Sequence, residues 1–209
     1  MDRTLLLGAG MALLVTLSGC SALLGEDLTF AASKATIDDD ALSEAGYETV
    51  SVESRSLNRT VSVAGQERTV RLTNWVATYD RDFGGDAGTP GTVVVLATPE
   101  VSIAGQSLNP VGQLSSTDLV DTLLEQYGPI GETTPAGTES MTVLGTETTV
   151  SSYRTTIDVE QRETPVLVHV TTVQDEGDYV VLLSVHPATV SADRAGVRTM
   201  FEGVTHDGK

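Results

Sequence analysis

Apolar residues along most of this chain recur at every second position, the period of a strand with one covered face. Tyr47 to Ser54 alternates through Tyr47, Val50 and Val52. Thr60-Val61-Ser62-Val63 and Thr69-Val70-Arg71-Leu72-Thr73 flank Ala64-Gly65, a pattern that predicts a hairpin. Its second arm continues through Trp75, Val76 and Tyr79. Val93-Val94-Val95-Leu96 is continuously apolar, as in a central strand covered on both faces. Leu28-Thr29-Phe30 reads as a first strand. Val143-Leu144, then 149–159, then 165–173 read as consecutive strands. Asp175-Glu176-Gly177-Asp178 is a turn into the strand Tyr179 to Val185.

The period changes to that of a helix in three places. Asp39 to Ala45 predicts a short helix, with the acids Asp38-Asp39-Asp40 at its positive end and Gly46 closing it. From Ser116 to Tyr127, Val120, Leu123, Leu124 and Tyr127 share one face. Ser115 and Asp118 form a capping-box pattern there, and Gly128-Pro129 ends it. Ala192 to Val204 is the third, with Val197, Met200, Phe201 and Val204 on one side. Tight turns between most strands disfavour parallel crossovers. The expected fold is a single α+β domain: a mainly antiparallel β-sheet with two to three helices packed on it. The segment Val63 to Val70 matches Val143 to Val150 at Val, Gly, Glu, Thr and Val. Shared hairpin-turn chemistry explains that better than an ancestral duplication, because such turns reuse few residues.

The N-terminal end obeys a different rule. An apolar run from Leu5 to Leu17 is followed by Leu17-Ser18-Gly19-Cys20, and Cys20 is the only cysteine. A run of 13 residues is too short to span a bilayer, which needs about 20. It reads as a secretory signal ending in a lipobox, with small residues before a cysteine whose thiol takes a lipid. Expected boundaries are a signal peptide over 1–19, a lipidated tether over 20–27, the domain over 28–206 and a tail over 207–209. The n-region carries only Arg3, so the general secretory route fits better than the twin-arginine route. One acyl chain binds membranes only marginally, so firm anchoring needs more than one chain. With no second cysteine the domain has no internal disulfide and depends on its core.

Charge narrows the partners. The chain carries a formal charge of −17, with only Lys34 and Lys209 as lysines. Dispersed acids and few lysines suit concentrated salt, where a Debye length of about 3 Å at 1 M screens self-repulsion. No basic stripe runs along the chain, so nucleic acid is not an expected partner.

Candidate chemistry is sparse. His169, His186 and His206 are far apart in sequence and lack metal-ligand spacing. His206 is expected in the C-terminal tail. Asp80, Asp82 and Asp86, with Gly84 and Gly85, resemble the start of a calcium loop. The position where that loop carries its bidentate glutamate is Gly91, so the pattern fails there. Gly105-Gln106-Ser107-Leu108-Asn109 lacks the last glycine of a serine-hydrolase elbow. Asn58-Arg59-Thr60 is a glycosylation sequon. Asn74-Trp75 and Asn109-Pro110 read as a core tryptophan and a turn before a helix, the alternative being a groove with an aromatic floor. No cofactor motif is present, and the chain is not expected to be an enzyme.

The lipobox, Phe30-Ala31, Leu42 to Tyr47, the Gly65 hairpin, Asn74-Trp75, Asn109-Pro110-Val111-Gly112 and Leu144-Gly145-Thr146-Glu147 together resemble a family of haloarchaeal lipoproteins of unknown function. That resemblance implies export and topology, and no activity. The closing pattern of strand Tyr179 to Val185, proline-containing loop and helix to Val204 resembles PsbP-like domains. It implies an accessory or scaffold role in a membrane complex, by analogy of fold. The expected protein is therefore lipid-anchored, extracytoplasmic and non-enzymatic, held to the outer face of the cell membrane and accessory to a membrane partner. A small-ligand or cation-binding lipoprotein is the alternative.

Overall fold

The computed structural model describes residues 28–63, 66–83, 90–103, 106–125, 130–159, 161–189 and 194–208. Cys20, Asp86, the Ala64-Gly65 turn, Tyr127 and Gly128-Pro129 lie outside them.

The first elements are β1 (Leu28–Ala31), β2 (Ala35–Ile37), α1 (Asp39–Ala45), β3 (Glu48–Val63), β4 (Gln66–Arg81) and β5 (Gly91–Pro99). A small hairpin follows, β6 (Ser102–Ile103) and β7 (Gln106–Ser107), and then α2 (Ser116–Leu124). The second half holds β8 (Thr134–Val143), β9 (Thr146–Val159), β10 (Arg162–Asp175), β11 (Asp178–Pro187), α3 (Arg194–Glu202) and β12 (Val204–His206). The main sheet runs β1-β4-β5-β11-β10-β9-β8, with β3 on the other side of β4. It is antiparallel except where β1 runs parallel to β4, from Leu28 opposite Val70 to Ala31 opposite Thr73. The sheet is thus mixed, mainly antiparallel, with three helices packed on it.

Turn chemistry sets the register. Val143 pairs with Thr146 around Leu144-Gly145, at φ 50° and 73°. Asp175 pairs with Asp178 around Glu176-Gly177, at φ 46° and 81°. Two consecutive left-handed residues give the hairpin turn whose twist matches the strands. The expected strand Val143-Leu144 therefore ends at Val143. Likewise Val63 pairs with Gln66, so both Gly-containing segments that match each other sit at hairpin ends.

Capping sets the helix limits. The Asp38 carboxylate accepts the Ala41 amide at 2.7 Å, and Gly46 ends α1 at φ 72°. Ser115 and Asp118 form the expected capping box of α2. The third helix is shorter than expected: it stops at Glu202, and Val204 belongs to β12. Gly203 allows that change of direction, since a Cβ there would sit 2.4 Å from the Ala41 Cβ. β12 pairs with β2, so His206 lies in a strand, not in a tail.

Two cores flank the sheet. On one face α1, β2 and α3, the last through Val197, Met200 and Phe201, cover Tyr79, Val93, Val95 and Leu182. On the other, α2 covers Val166, Val168, Val170, Val181 and Leu183. Alternation along β5 sends Val93 and Val95 to the first core and Val94 and Leu96 to the second. Trp75 is half-buried and packs against the first. β3 is the exception to its own apolar pattern: Val50 and Val52 are 58% and 37% exposed. It is an edge strand that no helix of the described residues covers, and its ladder is irregular between Thr49 and Ser51.

Candidate functional site

The histidines that look isolated in sequence meet in space. His169 on β10 and His186 on β11 are both buried, with Nε2 atoms 3.1 Å apart. The two strands pair antiparallel, Leu167 opposite His186 and His169 opposite Ser184, so both rings share the α1/α3 face. The ring centroids are 5.3 Å apart, well beyond the nitrogen separation, so the nitrogens meet head-on. An ion held in line between two imidazoles would set them about 4 Å apart. A hydrogen bond fits the spacing and an in-line metal does not.

The outer nitrogens fix the direction of that bond. His186 Nδ1 lies 3.2 Å from the Pro187 carbonyl, which can only accept, so Nδ1 carries the proton. Neutral His186 must then accept at Nε2, and His169 donates. His169 Nδ1 in turn accepts from the Ser152 hydroxyl at 2.8 Å. The result is a directed relay: Ser152, His169, His186, Pro187. Burial first, then the neighbouring His186 and Arg194, lower the His169 pKa from 6.5 to about 4, with Glu139 opposing. Ser184, opposite His169, keeps a buried hydroxyl without a hydrogen-bond partner.

His206 makes a second buried cluster. Its Nδ1 lies 2.8 Å from the Asp175 carboxylate and its Nε2 3.3 Å from that of Asp178. Asp178 also accepts the Ser33 amide at 2.7 Å. This clasp joins β12, the β10–β11 turn and the segment after β1. Among the described residues no group of three or more His, Cys, Asp or Glu could hold a metal.

Of the calcium-loop pattern only Asp80 and Asp82 are described; Gly84 and Gly85 lie outside the described residues. Asp80 lies within β4 and accepts the Thr92 hydroxyl at 2.7 Å, a cross-strand bond. Asp82 follows the strand and is exposed, and Asp86 is outside the described residues. Asn109 is buried: its amide donates to the Thr98 hydroxyl and the Pro99 carbonyl, and its carbonyl accepts the Val111 amide. It shapes the turn before α2, as the Asn-Pro pattern implies. Asn58 is exposed on β3 and accepts from Arg71 Nε at 3.3 Å.

Two concavities lie on the α2 face. Between α2 and the edge strand runs a groove of about 350 Å³ with a floor of Val76, Val94, Leu96 and Leu183. Leu123 forms one wall, and Leu57 and Arg55 form the other. Beside the start of α2 is a polar cleft of about 330 Å³, lined by Ser116, Thr149, Thr172, Gln174 and Tyr179. Among the described residues, the large exposed apolar side chains are Val50, Val52 and Leu57, all on β3. Sequence reasoning missed this because burial of a strand face depends on which elements cover it.

No curated protein matches the chain. The solution structure of cyanobacterial PsbP (CyanoP) from Synechocystis sp. PCC 6803 is 12% identical, with a TM-score of 0.39, over 91% of this chain and 99% of that one. This is a fold-level resemblance at low identity over most of the chain. A family model described as a domain of unknown function (DUF6517) matches residues 34–205, and the chain belongs to that family.

Proposed function

We propose that this protein is a lipid-anchored, exported, non-enzymatic accessory or scaffold subunit that holds a membrane-associated protein partner at the cell surface. The observation that carries the reading is the uncovered α2 face beside β3. An apolar floor of Val76, Val94, Leu96 and Leu183 lies open there, beside Leu57 of the edge strand, which is 52% exposed. An apolar groove left open at the surface marks a site of interaction. An edge strand adds unpaired backbone groups to the same surface. The His169–His186 relay is buried and hydrogen-bonded from strand to strand, which suits a structural role. The lipobox at Cys20 supplies the address.

The test is a photo-crosslinking residue at Leu57 in the native membrane, with Thr138 on the opposite edge as control. A discrete adduct at Leu57 and none at Thr138 supports the reading. Equal adducts or none at Leu57 reject it. The small-ligand alternative has the threonine-lined cleft in its favour. A thermal shift produced by a polar solute and abolished by Thr172→Val would move the assignment there.

A further inference from the structure

We propose that the groove between α2 and β3 binds an aliphatic carboxylate, with the alkyl chain on the apolar floor and the carboxylate on Asn74 and Arg55. The ligand occupies the floor and leaves the rim and the open edge of β3 to a protein partner. The inference therefore goes beyond the docking reading and is decided apart from it.

Hydrogen-bond directions settle what Asn74 offers. They start at Asn109, which is 2% exposed. Its side-chain carbonyl accepts the Val111 amide at 3.0 Å, and its Nδ2 lies 2.7 Å from the Pro99 carbonyl, which can only accept. Backbone groups thus fix both ends of that amide. The second Nδ2 proton goes to the Thr98 hydroxyl at 3.0 Å, and Thr98 gives its own proton to Asn74 Oδ1 at 2.9 Å. The Asn74 carbonyl is taken, so the group Asn74 brings to the groove it lines is its donor NH2.

Arg55 stands opposite Asn74 in the β3–β4 ladder, so the two side chains lie side by side on one face. A guanidinium has donors only. One of its nitrogens is 3.5 Å from the Glu53 carboxylate, with both side chains more than half exposed. That contact is at the limit of hydrogen-bond range and leaves the rest of the fork for a ligand. The chain has 29 acids, yet among the described residues none lines the groove. Its Asn74–Arg55 end is all donors, and a carboxylate, which only accepts and takes two donors at once, is the complement. Direct hydrogen bonds in a partly buried groove are screened by salt far less than fields between exposed charges.

The floor suits an alkyl chain. Val76 pairs with Leu96 and Val94 with Leu183, so it is continuous across β4, β5 and β11. Val76, Val94 and Leu96 are only half-buried, although β4 and β5 are inner strands. From Asn74 to Thr78 the groove follows β4 for about 13 Å at strand rise, room for a chain of medium length. An apolar body with a few polar groups fixing one end is the make-up of small-ligand sites.

The test is photolabelling in native membranes at native salt, with decanoate bearing a terminal diazirine and the matching decanol as control. Peptide mass spectrometry locates the adducts. The acid should label Val94, Leu96 or Leu183 on the order of tenfold more than the alcohol, and excess decanoate should displace it. Asn74→Asp keeps the acceptor for Thr98 and replaces the donor by an anion; Arg55→Gln removes the cation at a side chain that is 68% exposed. Each should remove most of the preference, and Arg55→Gln decides the case if Asn74→Asp fails to fold. Equal labelling by acid and alcohol, adducts only elsewhere, or a preference that survives Arg55→Gln overturns the proposal. The crosslinker at Leu57 reads the partner separately. A protein adduct without decanoate labelling overturns this inference alone, and labelling without a protein adduct overturns the docking reading alone.

Discussion

Replacing His169 by glutamine should flatten the acid dependence of stability. The unfolded chain takes up a proton at this histidine near pH 6.5, whereas the folded chain resists it until about pH 4. Because the folded pKa is the lower one, the stability is fully present above pH 6.5 and is lost as pH falls through 4. Between pH 7 and pH 4.5 that linkage amounts to about 2.5 kcal/mol. Burial is the main cause, and the conversion applies because His169 is only 4% exposed. Glutamine keeps a partner for Ser152 and cannot ionise. Urea unfolding followed by circular dichroism, at fixed salt and at pH 7, 6, 5 and 4.5, gives the free energy for both proteins. The carboxylates titrate alike in both and cancel. At pH 7 the variant should be the less stable, and the gap should shrink by about 2.5 kcal/mol by pH 4.5. Parallel curves would refute a buried, neutral His169.

Three further substitutions test separate contacts. Ser184→Ala removes a buried hydroxyl that has no partner, so it should leave stability unchanged or raise it by about 1 kcal/mol in urea melts; a large loss would reveal an unseen partner. Gly203→Ala places a Cβ 2.4 Å from Ala41 and 3.1 Å from the Thr199 carbonyl, and should cost about 1–3 kcal/mol by pushing α3 off α1. A neutral melt would show that the two helices separate freely. Cys20→Ser should move the protein from the membrane fraction to the medium or the cytosol, and continued membrane retention would remove the lipid anchor from the account.

Local chemistry was legible in the sequence wherever a short stretch decides its own structure. The Asp38 cap, Gly46, the Ser115–Asp118 box and the Glu176-Gly177 turn are each settled by residues within one turn of chain, and each appears where the pattern places it. The β3–β4 hairpin and the alternation through Trp75 and Tyr79 are of the same kind. The end of α3 was not, because Gly203 matters only where α1 presses against it. Nor was the exposure of Val50 and Val52, since their spacing matches that of a covered strand and no helix of the described residues packs over β3. The histidines are the sharpest case. Sequence separates His169 from His186 by 17 positions and puts His206 near the chain end. Antiparallel pairing of β10 with β11 sets the first two rings nose to nose, and β12 inserts the third between two aspartates. A sequence determines the elements, their caps and their turns through contacts a few residues long. Which faces are covered, and which side chains meet, follows from packing between elements distant in sequence, and that energy exists only once the sheet has formed.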